Sequence, residues 1–306
     1  MIQIFKKVPN INFIGVWKIA FSISGALLLI TVGSIIYHKG FNTSIEFTGG
    51  TEVQLKFEKP IENNLGRIRS ILSGLGYGQP EIKTIGPAKN NEIQVTVKKQ
   101  AEGTTVGDAV KDAISKAYAD NKFEVRREEK VGPKIGAELA SKAFWAVLLA
   151  LIAIVVYMGI RFNIPYGLGG VLSLFHDVFI TLGFFSLTNR EISLGIVAAL
   201  LTIVGYSLND TIVVFDRVRE NMGGRLLGPN VETMINKSIN QTLSRTIITT
   251  GTVLFVLIAF SFFGGQVIQD FSLAMLVGCS SGVYSTVYIA SPIVLWWNKQ
   301  FPPKLK

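Results

Sequence analysis

Charge is scarce in this sequence. Asp, Glu, Lys and Arg make up 17% of its 306 residues, while apolar residues make up 49%. Soluble domains carry roughly a quarter charged residues, so this is a membrane protein or one with a large membrane part. Cysteine is almost missing. Cys279 stands alone in an apolar run, which excludes an internal disulfide and the two-cysteine metal spacings. Histidine is limited to His38 and His176. No nucleophile–base pair, metal set or phosphate loop can be assembled. An enzyme is therefore the least favoured class, and no cofactor or metal is expected. The formal charge of +9 would suit nucleic acid, but it is better explained by loop topology, and no nucleic-acid partner is expected. The first apolar run, Ile19 to Ile36, is longer than the core of a signal peptide and no small-residue cleavage site ends it, so it reads as an uncleaved span.

What the chain does have is six apolar runs near the roughly 20 residues a bilayer core requires. They cover 17–36, 143–160, 166–187, 192–214, 246–263 and 271–297. Lys6, Lys7 and Lys18 precede the first. Arg161 lies between spans 2 and 3. Arg217, Arg219, Arg225 and Lys237 lie between spans 4 and 5, and Lys299, Lys304 and Lys306 close the chain. Of the alternate connections, the one between spans 3 and 4 holds only Arg190 and the one between spans 5 and 6 no basic residue; the long segment between spans 1 and 2 is also basic, but long domains cross regardless of charge. The basic excess puts both termini on the cytoplasmic side. The expected plan is a cytoplasmic arm (1–16), a first span (17–36) and an extracytoplasmic domain (37–141). A five-helix membrane region (142–298), with a cytoplasmic loop near 215–244, and a cytoplasmic tail (299–306) follow.

The 37–141 segment alternates like a soluble α+β domain. Gly50 to Glu58, Glu81 to Ile85, Glu92 to Val97 and Phe123 to Val131 read as strands. Glu62 to Leu75 and Thr105 to Ala119 read as helices, the first stopped by Gly74, Gly76 and Gly78. Thr105 is the expected N-cap of the second, with Asp108 three positions on. The order βαββαβ is the split ferredoxin-like unit. A binding or lever role suits it better than catalysis. In the loop after span 4, Pro229 starts an amphipathic stretch, Asn230 to Leu243, expected to form a short surface helix leading into span 5.

Ionisable residues inside spans mark ion or substrate paths. Span 4 ends in GYSLNDTIVVFDRVRE, where Gly195, Ala199, Thr202, Tyr206 and Asp210 fall on one stripe and Asn209 adjoins it. Asp210 lies about 9 Å inside the end marked by Asp216, at 1.5 Å per residue. It is either an ion-coupling carboxylate or a group lining a wet helix end. In span 5, Thr242, Arg245, Thr249 and Thr252 share a face. Arg245 is either a headgroup anchor that snorkels or the partner of Asp210. Span 3 carries His176 and Asp177 at its centre, as a working pair or as a satisfied polar pin. Gly278 and Gly282 of span 6, with Ser281 and Ser285, make a close-packing face.

The ordered motifs IEFTGGT (45–51), VGPKIGAEL (131–139), LSLFHDVFITLG (172–183), GYSLNDTIVVFDRVREN (205–221) and NQTLSRTIITT (240–250) resemble the SecF family of bacterial protein-export membrane proteins over nearly the whole chain. Glu46 stands where that family has Asp. The resemblance implies six spans forming half of an RND-type bundle completed by SecD, in the bacterial inner membrane. It implies work beside the SecYEG channel on unfolded preproteins, driven by the proton motive force. It assigns ion coupling to Asp210, with Arg245 as basic partner and Asp177 as a further coupling residue. Asn209, Tyr206, Thr249 and His176 are the supporting polar residues. Two rivals are a small-molecule efflux subunit, which shares the bundle type, and a passive scaffold of the translocon.

Overall fold

The computed structural model describes residues 7–61, 65–76, 80–85, 90–98, 105–223 and 230–302. Lys6, the 62–64 start of the first domain helix, Gly78, Arg225, Pro229, Lys304 and Lys306 lie outside the described residues. The chain forms two compact units. One is α+β, Asn42–Ala146 with Glu191–Leu194. The other is helical, Met1–Phe41, Val147–Arg190 and Gly195–Lys306.

In the α+β unit, strands β1 (Gly50–Phe57), β2 (Glu81–Ile85), β3 (Glu92–Lys98) and β4 (Phe123–Val131) form one antiparallel sheet in the order β2-β3-β1-β4. That order is what two split βαβ units produce. Period-two patterning sets the register: Val53 opposes Val95 and Leu55 opposes Ile93. These residues pack on Ile68 and Leu72 of one helix, Leu65–Ser73, and on Val110 and Ile114 of another, Val106–Ala117. β4, with sequence FEVRREEKV, is the highly charged edge, which discourages pairing with another chain. Thr105 makes no side-chain cap to the second helix. Asp108 instead pairs with Lys111 at 2.7 Å, so the capping box expected there does not form.

The protein is a polytopic α-helical membrane protein. Six helical stretches among the described residues are long and apolar enough to cross a bilayer. Numbering all helices in chain order, these are α1 (Trp17–Tyr37), α5 (Pro133–Arg161), α6 (Ile164–Leu187), α7 (Leu194–Asn221), α8 (Val231–Phe263) and the stretch Ile268–Gln300. The last runs from within α9 (Gln266–Ser285) through a π-helical turn (Thr286–Ala290) to the end of α10 (Ser291–Gln300). Pro292 is the second residue of α10 and has no N–H to give the preceding turn, a recognised cause of such irregularity.

The expected surface helix at 230–243 is corrected. It is the first part of α8 itself, continuous to Phe263. Its apolar face meets protein rather than headgroups: Val231, Ile235 and Ile239 are buried with Phe215 and Val218 of α7. The same segment fixes the arm before α1. Asn236 Oδ1 accepts from Phe13 N–H, Asn240 Oδ1 accepts from Ile11 N–H, and both side-chain amides donate to Ile11 O. Ion pairs agree with the alternation of spans. Arg161, after α5, grips Asp216 near the end of α7 at 2.7 Å. Arg190, after α6, pairs with Asp270 at the start of α9.

Candidate ion-coupling site

A membrane helix presents one face every 3.6 residues, so spacing of three or four decides which polar groups meet. On α7 the buried face runs through Ala199, Ile203, Ser207, Asp210, Thr211 and Val214. Asp210 is 8% exposed. Its Oδ1 accepts a hydrogen bond from Thr246 Oγ1 of α8 at 2.8 Å. One turn earlier, the Tyr206 hydroxyl lies 3.4 Å from Thr250 Oγ1. Tyr206 and Asp210 of α7 therefore face Thr250 and Thr246 of α8, four residues apart on each helix. The carboxylate meets a neutral hydroxyl.

The rest of the expected constellation divides. Arg245 adjoins Thr246 in sequence but is exposed and makes no ion pair with Asp210. Asn209 is exposed, as is Thr249, whose hydroxyl turns back to Arg245 O at 2.9 Å. Thr202 is exposed and bonds to Ala198 O. Thr242, Thr246 and Thr250 are the buried hydroxyl row of α8. Thr246 and Thr250 were missed. Their four-residue spacing was visible in QTLSRTIITT, but a second threonine row, Thr249 and Thr252, runs beside it, and spacing alone does not choose between them.

A second polar centre surrounds Asp177 of α6, which is 0% exposed. Ser207 Oγ donates to Oδ2 at 2.6 Å and Ser285 Oγ to Oδ2 at 2.8 Å, while Ser281 Oγ donates to Oδ1 at 2.6 Å. His176 Nδ1 lies 3.1 Å from Oδ1, and its ring stacks on Tyr284 with centroids 6.0 Å apart. Three helices thus converge on one carboxylate. They can do so because α9 approaches α7 through Gly278 and Gly282, where a Cβ would run into Ile203 Cδ1 and into Ser207 Cβ respectively. The small-residue face of span 6 has the expected packing role, and its serines also serve Asp177.

A third group lies in the α+β unit, in the IEFTGGT motif. Glu46 Oε2 accepts from the backbone N–H of Leu194, the first residue of α7, at 2.7 Å. Gly49 and Gly50 have φ of 73° and 152°. A Cβ on Gly49 would lie 2.8 Å from Pro133 Cα, and one on Gly136 would lie 2.8 Å from Gly49 N. The motifs IEFTGGT and VGPKIG therefore close on each other backbone to backbone.

Among known proteins, the model of the family "Protein export membrane protein SecD/SecF, C-terminal" matches residues 110–300, and that of the "SecD/SecF GG Motif" matches residues 34–61. The chain is 41% identical over 294 residues to the protein translocase subunit SecF of Calditerrivibrio nitroreducens, covering 96% of each. It is 43% identical over 279 residues to that of Escherichia coli O157:H7, covering 90% of this chain and 84% of the other. Among solved structures it superposes on SecDF, a translocon-associated membrane protein from Thermus thermophilus, with a TM-score of 0.83 at 36% identity. That match covers 95% of this chain and 39% of the longer SecDF chain.

Proposed function

The chain belongs to the SecD/SecF family of protein-export membrane proteins, and from that premise we propose that it is the SecF-type half of an ion-driven Sec translocase subunit. The half-bundle is completed by a SecD partner. SecDF relatives occur as a single chain of which this one matches about two fifths, which supports a pairing of that kind. The complex acts beside the SecYEG channel in the bacterial inner membrane, with the 37–141 domain on the extracytoplasmic side. There it promotes export of unfolded preproteins at the expense of the proton motive force.

One observation carries the coupling role: Asp210, nearly buried in a membrane-length helix, has a neutral hydroxyl for its contact. A carboxylate so placed is costly and is found where ions move. Gain and loss of a proton there switches its attraction for Arg245, the cation next to Thr246, in a medium where Coulomb forces are strong. A potential of 100 mV supplies about 2.3 kcal/mol per charge crossing, and about 1.4 kcal/mol is a tenfold bias. In this reading Asp177, held by three serines, is a fixed pin about which α6, α7 and α9 are arranged, and His176 packs beside it.

The test uses membrane vesicles that contain the translocase. Asp210→Asn should remove the gradient-dependent part of preprotein export while the complex assembles with SecD at the wild-type level. Wild-type export by that variant would refute the proposal. It would leave the passive scaffold, since the family match speaks against efflux.

A further inference from the structure

The connection between α6 and α7 is six residues, 188–193, and its second half together with the first residue of α7, Glu191–Leu194, counts with the α+β unit rather than with the helical unit. Four contacts fasten it there. Ile192 N–H donates to Asn42 O at 2.8 Å, and Ser44 N–H donates to Ile192 O at 3.0 Å. Lys83 Nζ donates to Glu191 Oε1 at 3.1 Å. Glu46 Oε2 takes the N–H of Leu194 at 2.7 Å and is itself steadied by Ser44 Oγ at 3.2 Å.

The last contact differs in kind from the others. The first turn of a helix has N–H groups with no intrahelical acceptor, and the N-terminus carries partial positive charge. A carboxylate is the strongest side-chain acceptor for such an N–H. Three residues beyond Glu46, the backbone of Gly49 closes on Pro133 and Gly136 at the start of α5 with no room for a Cβ. One short motif thus holds the first residues of two membrane helices. One of them, α7, runs unbroken from Leu194 to Asp210, about 24 Å at 1.5 Å per residue.

We propose that Glu46 is a positioning residue for ion coupling, holding the start of the Asp210 helix to the α+β unit so that displacement of one is passed to the other. The inference rests on the coupling role given to Asp210 above. The link runs through the short connection ahead of span 4. A hydrogen-bonded carboxylate can be released and remade without covalent change, and α7 is stiff enough to carry the movement along its length.

The experiment uses the full chain, reconstituted in liposomes with its SecD partner and the translocase. Three quantities are read: amide hydrogen exchange at residues 194–197, proton uptake after an acid pulse, and gradient-dependent export. Glu46→Ala is expected to speed exchange at 194–197 at least tenfold and to lower gradient-dependent export at least tenfold, with proton uptake within twofold of wild type. Glu46→Asp, one methylene shorter, is expected to restore more than half of the export. Asp210→Asn is expected to lose uptake and export while exchange at 194–197 stays as in wild type. Should Glu46→Ala not accumulate, Glu46→Gln keeps the size and a weaker acceptor, and a twofold to fivefold loss of export is expected. Wild-type export by the assembled Ala or Gln variant overturns the proposal. So does an Ala variant whose proton uptake falls in step with its export. Normal export by Asp210→Asn refutes the function proposed for Asp210, whereas unaltered exchange at 194–197 in Glu46→Ala refutes only the role of Glu46.

Discussion

Thr246 Oγ1 of α8 donates to Asp210 Oδ1 of α7 at 2.8 Å, while Arg245, one residue before Thr246, is exposed. Two neighbouring residues therefore stand differently towards the carboxylate: Thr246 holds it by a hydrogen bond, while Arg245 makes no ion pair with it. A hydrogen bond to a charged group contributes about 1.5–3 kcal/mol, roughly tenfold or more in an equilibrium. Thr246→Val keeps the shape and removes the donor, so gradient-dependent export should fall about tenfold. Thr249→Val should stay within about twofold, because its hydroxyl serves only its own helix. Equal losses in both variants would count against the facing assigned to α8.

The Asp177 cage should behave as a structural pin. Asp177→Ala leaves Ser207, Ser281 and Ser285 without their common acceptor. Each stranded buried donor costs about 1–3 kcal/mol. The expected result is a sharp fall in the amount of folded chain recovered and in its melting temperature in detergent. Asp210→Asn should show neither. A normally folded Asp177→Ala protein with lost proton uptake would instead move Asp177 into the ion path.

Gly49 has φ 73° and ψ 154°, a region that costs other residues about 1–3 kcal/mol. A methyl there would also meet the Pro133 backbone, and overpacking of that kind adds about 1–3 kcal/mol. Gly49→Ala should therefore loosen the start of β1 and of α5 together. Limited proteolysis near residues 45–50 and 131–136 should accelerate at both sites. Faster cleavage at only one would show that the two motifs do not support each other.

In the α+β unit, burial pushes the Glu52 carboxyl from its ordinary 4.5 up to about 7, with the Glu191 and Glu129 carboxylates adding to the effect. A group whose pKa is raised by folding binds its proton more readily in the folded state. Stability must then decline as pH rises through the window from 4.5 to about 7. Glu52→Gln should slow hydrogen exchange of the β1 and β3 amides at pH 8 and change it little at pH 4.5. Gln94, which donates to Glu52 Oε2 at 2.8 Å, can keep an acceptor in that variant. Equal effects at both pH values would contradict the assignment.

The α+β fold was legible because period-two and helical patterns were strong and short. All four strands lie where alternation put them, and Val53, Leu55 and Phe57 turn inward together. The spans were legible from length. Less legible was the continuity of α8, since the amphipathic face of 231–243 reads alike against a membrane surface and against a neighbouring helix. Asp210 stood out as a charge in an apolar run. Its partner did not, because Arg245 draws attention by its charge while Thr246 is one of several threonines in the same stretch. The tie from Glu46 to Leu194 joins residues 148 apart in the chain, and no local pattern reports such a contact.

Asp210 is the group proposed to take up and release the driving ion, and proton flow measures that most directly. The complex of this chain with its SecD partner is reconstituted in liposomes holding a pH dye and given an external acid pulse under an inside-negative potential. Wild type should acidify the interior, and Asp210→Asn should not rise above liposomes without protein. Acidification by Asp210→Asn at the wild-type rate would contradict the account.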